Sequence, residues 1–199
     1  MTTILDRTDY FDHTFTREDF SNTELNALSF EECRFHECNF SEAALYHCRF
    51  TDCRFNNCNL SVIKVKGTRF MAAEFTECKL VGIDWTRAAW PNLQLSSPLS
   101  FTRCIVNDSV FFGLHLSELT LAQCKAHDVD FREGNFSDAN FSGSDFSYSQ
   151  FHSTNLSGAD FSDAENYAID LRINTLKGAR FSRMEAVCLL ESLGIELVD

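Results

Sequence analysis

Proline is nearly missing from this 199-residue chain: there are two, Pro91 and Pro98, and they lie seven positions apart in one stretch. Proline removes a ladder donor and sits at bulges and edges, so one interruption is expected there. No apolar run approaches the 18 residues a membrane-spanning helix needs, and no basic-plus-apolar leader opens the chain, so neither membrane spanning nor secretion is expected. Cations are scarce: 17 Lys and Arg face 29 Asp and Glu, for a net charge of -12. Phosphate recognition wants Lys and Arg, so direct binding to nucleic acid is not expected. The six His are scattered, and no phosphate loop, Ser/His/Asp arrangement or CxxC pair occurs. The expectation is therefore no enzyme, no cofactor and no metal site.

What is present is a period. Phe131, Phe136, Phe141, Phe146, Phe151, Leu156 and Phe161 recur every five residues, and the comb runs back through Phe70, Phe50, Phe30 and Phe15 to Tyr10. It continues through Phe75, Leu80, Trp85, Trp90 and, less clearly, Leu95, then resumes one residue late at Phe101 and runs through Leu171 and Leu176 to Phe181. Ala126 and Asn166 are its weak centres. Of the 20 Phe, all but Phe11 and Phe112 fall on it. Such a repeat decides the architecture before any propensity argument. Five-residue spacing fits neither a helix nor a plain strand, so the chain must turn a corner every five residues with each central residue aimed at an axis. Four sides close a coil of twenty residues, and coils stack at the strand spacing of roughly 4.8 Å. Contacts between neighbouring coils suffice for a solenoid, so one elongated domain over 1–181 is expected, with a register break at about 91–100.

Eight of the nine cysteines stand two positions before a central residue, a position facing the interior, where a thiol serves as a small hydrophobe. Cys38, Cys58 and Cys78 fall in one column, as do Cys33 with Cys53 and Cys104 with Cys124. Relaxed disulfide geometry does not fit stacked neighbours, and so many unpaired thiols point to a reducing cytoplasm. At the break, one extra residue has to be bulged out. Pro91 and Pro98 there either bend the rod or present a recognition feature, or they mark a tolerated insertion.

After Phe181, Ser182-Arg183-Met184-Glu185 has the form of a capping box, Ala186 to Leu193 is helical in composition, and Gly194 is placed as a stop. The segment 182–199 is more apolar than a solvated tail. An open β-helix end is a sheet edge that must be covered, so the helix either simply caps the last coil or covers the end and pairs with a second copy, with Val187, Leu190, Leu193, Ile195 and Leu197 as the candidate dimerisation residues.

Charge is uneven. Residues 61–125 are near neutral, whereas residues 126–171 hold nine acids, Asp128, Asp130, Glu133, Asp138, Asp145, Asp160, Asp163, Glu165 and Asp170, against Arg132 alone. In the expected fold this block occupies roughly 11 Å of rod. That is on the order of one negative charge per 1.4 Å, comparable with the roughly 1.7 Å of duplex DNA. It is the candidate partner-binding block; acidic outward positions also serve to keep an apolar rod in solution.

These residues resemble the pentapeptide-repeat family, whose motif is a small residue, Asp or Asn, Leu or Phe, Ser or Thr, then any residue. Ala139-Asn140-Phe141-Ser142-Gly143 and Ala159-Asp160-Phe161-Ser162-Asp163 match it throughout. The resemblance covers roughly residues 8–181 and implies an all-β solenoid, a right-handed quadrilateral β-helix, here with a short C-terminal α-helix. The total length, the nearly unbroken comb and the closing Glu185-Ala186-Val187-Cys188-Leu189-Leu190-Glu191-Ser192-Leu193-Gly194-Ile195-Glu196-Leu197 are similar to the group that protects DNA gyrase and topoisomerase IV from inhibitors. That group holds the Qnr proteins, the microcin B17 immunity protein and the albicidin-resistance protein AlbG. The Trp90-Pro91 stretch, Asn107-Asp108-Ser109 and Asn166-Tyr167-Ala168-Ile169-Asp170 are most similar to the albicidin-resistance branch. The resemblance implies a cytoplasmic homodimer joined at its C-terminal end. It would engage gyrase as an anionic likeness of duplex DNA and serve resistance or self-immunity. The alternative is a non-enzymatic scaffold or adaptor with an unrelated partner.

Overall fold

A computed structural model describes residues 7–90, 98–195 and 198, as a parallel-strand solenoid of about eight turns. Tyr10 stacks under Phe30, Phe50 and Phe70 on side 1, and Phe15 under Phe35, Phe55 and Phe75 on side 2, each pair twenty residues apart in parallel register. Phe20 and Phe40 begin side 3, and Leu25 and Leu45 begin side 4. Rings stack along the axis at 4.9 Å for Phe15–Phe35, 4.6 Å for Phe35–Phe55 and 4.7 Å for Phe55–Phe75, and meet edge-on across it. The comb residues from Tyr10 to Trp85 and from Phe101 to Phe161 thus form one continuous core.

The other positions of the repeat have physical reasons of their own. The Asn or Asp before a centre accepts from the Ser after it: Asn59 Oδ1 takes the Ser61 backbone N–H at 3.1 Å and its hydroxyl at 2.8 Å, and Asn155 treats Ser157 alike. Two positions after the centre the backbone turns the corner with positive φ, as at Asp52 (50°), Asp128 (56°) and Asp138 (57°). Asp and Asn tolerate this left-handed region better than most residues, which is why they recur at corners.

The inward position two before the centre does more than fill space. The Cys58 thiol donates to the Phe35 carbonyl at 3.4 Å and accepts the Cys38 backbone N–H at 3.4 Å. Ser144 does the same with its hydroxyl, accepting from Cys124 N–H at 2.9 Å and donating to Leu121 O at 2.7 Å. Cysteine is therefore a buried bridging group here as well as a small hydrophobe. The eight core thiols are free and buried, and burial pushes Cys53 up to about 12 and raises Cys33 and Cys48 as well.

The break differs from the one-residue bulge expected. Phe75 pairs with Phe101 and Lys79 bridges to Ile105, an offset of 26 residues in a coil that elsewhere takes 20. The coil's centres are Phe75, Leu80, Trp85 and Trp90, and the next centre on side 2 is already Phe101. Six extra residues therefore lie between the centres Trp90 on side 1 and Phe101 on side 2. Leu95 and Pro91 lie outside the described residues. Pro98 is buried, and its carbonyl accepts the Ala73 N–H at 2.9 Å, leading into the strand Leu99–Thr102. The same offset merges two cysteine columns into one: Cys38, Cys58, Cys78, Cys104 and Cys124 lie in file, with Ser144 next.

Two further expectations are corrected near the C-terminal end. Asn166 is exposed, with φ 58°, while Tyr167 and Ile169 are buried, and Phe151 bridges to Ile169. An amide cannot fill an apolar centre, so its apolar neighbours turn inward instead. Ser182 does not form a capping box: its hydroxyl accepts from the Asp163 backbone N–H at 2.7 Å and donates to the Asp163 carboxylate at 3.0 Å. The helix is accordingly shorter, a 3-10 turn at Glu185–Val187 and an α-turn at Cys188–Glu191, with Gly194 beyond it at φ 71°.

Candidate functional site

The nine carboxylates of 126–171 do not gather on one side. Asp138, Asp163, Asp128 and Glu133 stand at the four different corners of the solenoid, each with φ between 56° and 59°. These four and Glu165 make no ion pair among the described residues. The other four carboxylates are held. Asp130 meets Arg132 at 2.7 Å, Asp170 meets Arg172 at 2.6 Å, Asp160 pairs with Arg180, and Asp145 lies 2.7 Å from His127 Nε2. Arg172 and Arg180 come from beyond the block, so the exposed charge is less dense than a count along the sequence suggests. It forms a ring around the rod.

Burial pushes the Asp145 carboxyl up, but hydrogen bonds from Asn166 (2.8 Å), Ser147 (2.7 Å) and His127 outweigh it and hold it at about 2. Arg172, through its side chain and backbone N–H, holds Asp170 at about 2. Asp130 and Asp160 are also lowered: partial burial opposes the shift, and Arg132 in the first case and Ser162 with Arg180 in the second overcome it. All four stay ionised at neutral pH, but as parts of fixed networks.

Leu189 is buried against the last coil, and Ser192 Oγ accepts from Leu171 N–H at 3.3 Å, so the helix covers the open end. Val187, Leu190, Leu193 and Ile195 remain outward, 37–48% exposed. Leu197 lies outside the described residues. No cluster of three metal-ligating side chains occurs among the described residues, and no helix of theirs is long and apolar enough to cross a membrane.

A family model for the pentapeptide repeat region matches residues 28–97 and 83–161. A trypsin-treated variant of QnrB1, a plasmid-mediated fluoroquinolone resistance protein, is 25% identical over 96% of this chain and 92% of its own, with a TM-score of 0.65. Full-length QnrB1 is 24% identical over 94% of this chain and 90% of its own, with a TM-score of 0.58. No curated protein matches the sequence.

Proposed function

The chain belongs to the pentapeptide-repeat family, and within it we propose a cytoplasmic protein that binds DNA gyrase, with topoisomerase IV as a second target, and protects it from inhibitors. The observation that carries this reading is the likeness to a fluoroquinolone resistance protein over 96% of the chain. The protein acts by binding, without turnover. On the resemblance at Asn107-Asp108-Ser109 and 166–170, we assign it to the albicidin-resistance side of that group.

The ring of corner carboxylates suits an anionic rod that takes the place of duplex DNA. A duplex presents negative charge all around its axis, and so do Asp128, Glu133, Asp138 and Asp163. Val187, Leu190, Leu193 and Ile195 join two copies end to end, which sets one acidic ring on each side of the join. Binding to purified gyrase on a sensor surface tests the reading. Gyrase is retained by this protein and displaced by a short DNA duplex; retention that duplex leaves unchanged contradicts the mimicry, and no retention contradicts the partner.

A further inference from the structure

One edge of this acidic rod carries cations that make no ion pair among the described residues. Arg49 and Arg69 lie directly opposite each other in parallel register on side 1. Lys64 and Lys66 flank Val65 on side 4, just before the corner at Gly67, and His47 stands at the same corner one coil earlier. All five side chains are exposed, and none of the four Lys and Arg has an ion-pair partner among the described residues. Asp84, twenty residues after Lys64 on side 4, is taken by Arg87 at 3.0 Å and by the Thr86 backbone N–H at 3.1 Å. Further along the edge, Arg132 and Arg172 are already held by the aspartates two residues before them.

Side 2 shows what a neutralised stack looks like. Arg34 also lies opposite Arg54, but Arg34 bonds Asp12 at 2.9 Å and Arg54 bonds Glu74 at 3.1 Å. Like charges directly opposite each other in a sheet destabilise it. Side 1 holds the same stack without counter-ions, in a chain that has acids to spare.

We infer that Arg49, Lys64, Lys66 and Arg69 form a docking surface for an acidic polypeptide segment. The four cations lie on two adjacent coils, roughly 5 Å apart along the axis, within the reach of a few residues of extended chain. A long phosphate polymer would run on into the acidic remainder of a molecule of net charge -12. Arginine pairs with carboxylates through two parallel hydrogen bonds. Met71, 52% exposed, and half-buried Tyr46 flank the cations with the apolar area that side chains of a peptide pack against. This surface is separate from the acidic ring and does not depend on gyrase being the partner.

The test is fluorescence anisotropy of a labelled decaglutamate peptide with the full chain at low salt, and of a labelled oligothymidylate as the second probe. Decaglutamate is expected to bind, more weakly as salt rises. Arg49→Ser, Lys64→Ser, Lys66→Ser and Arg69→Ser combined should weaken it at least tenfold while the thermal midpoint stays at or above that of the unmodified protein. A control removes four paired cations, Arg17→Ser, Arg54→Ser, Arg103→Ser and Arg180→Ser, and so has the same net charge; it should bind within threefold of the unmodified protein. Failure of decaglutamate to bind, equal loss in both variants, or tighter binding of oligothymidylate would each overturn the inference.

Discussion

The backbone N–H of Cys78 donates to Cys104 Sγ at 3.4 Å, across a separation of 26 residues, and the Cys104 N–H in turn donates to Cys124 Sγ at 3.3 Å. These bonds continue the file of thiols through the coil that holds six extra residues. They also show that the excursion leaves the register of the solenoid intact on either side.

Cys78→Ala leaves the Cys58 N–H and one bond to the Phe55 carbonyl without their partner. A buried orphan of this kind costs about 1–3 kcal/mol. Cys78→Ser keeps a bridging hydroxyl, as Ser144 does, and should recover much of the loss. Urea denaturation compares the three; equal stability of the Ala and Ser variants would contradict the bridging role.

Replacing residues 91–98 by Ser-Gly restores a twenty-residue coil, with glycine supplying the positive φ of the corner. Circular dichroism should show the same strand content and a single cooperative melt. A collapse of the fold would contradict a stretch that the solenoid can do without. If the fold survives and protection of gyrase is lost, the excursion is a recognition feature rather than a tolerated insertion.

How much of this was legible follows from where each signal lives. The core comb was readable because every inward position repeats the same apolar demand, from Tyr10 to Phe181. The register of the break was not, because Leu95 happens to fall on the beat and hides six extra residues as one. Ser182 and Glu185 have the spacing of a capping box, but the Ser182 hydroxyl is claimed by Asp163, a partner nineteen residues away. The acidic block was readable as composition, yet its arrangement needed the coil: Arg180 reaches Asp160 from twenty residues away, and four of the five unpaired acids fall at corners. The unpaired cations around Gly67 were hidden by a regional net charge near zero.

Acid should weaken the fold through Asp145 and Asp170. Both carboxyls lie at about 2 in the folded chain, below the roughly 3.9 of an unfolded aspartate. A depressed carboxyl contributes stability that is present above the unfolded value and lost as pH falls toward the folded one. The thermal midpoint should therefore drop between about pH 4 and about pH 2, and Asp145→Asn should flatten part of that drop. An unaltered acid profile in the variant contradicts the network around Asp145.

The two faces of the C-terminal helix should separate. Leu189→Ala removes a side chain buried on the last coil and should cost about 2–5 kcal/mol. Leu190→Glu with Leu193→Glu alters only outward positions and should leave the melt of the protomer nearly unchanged while raising the dimer dissociation constant at least tenfold. Sedimentation velocity distinguishes the two, and a dimer that survives the glutamates contradicts the end-to-end join.

The most direct test of the whole account is DNA supercoiling by purified gyrase in the presence of a fluoroquinolone or albicidin, with increasing amounts of this protein. Supercoiling should be restored in a dose-dependent way by the unmodified protein, and not by Asp128→Lys, Glu133→Lys, Asp138→Lys and Asp163→Lys combined. Inhibition that persists at every dose with both drugs would contradict protection, and equal rescue by the charge-reversed protein would contradict the anionic rod.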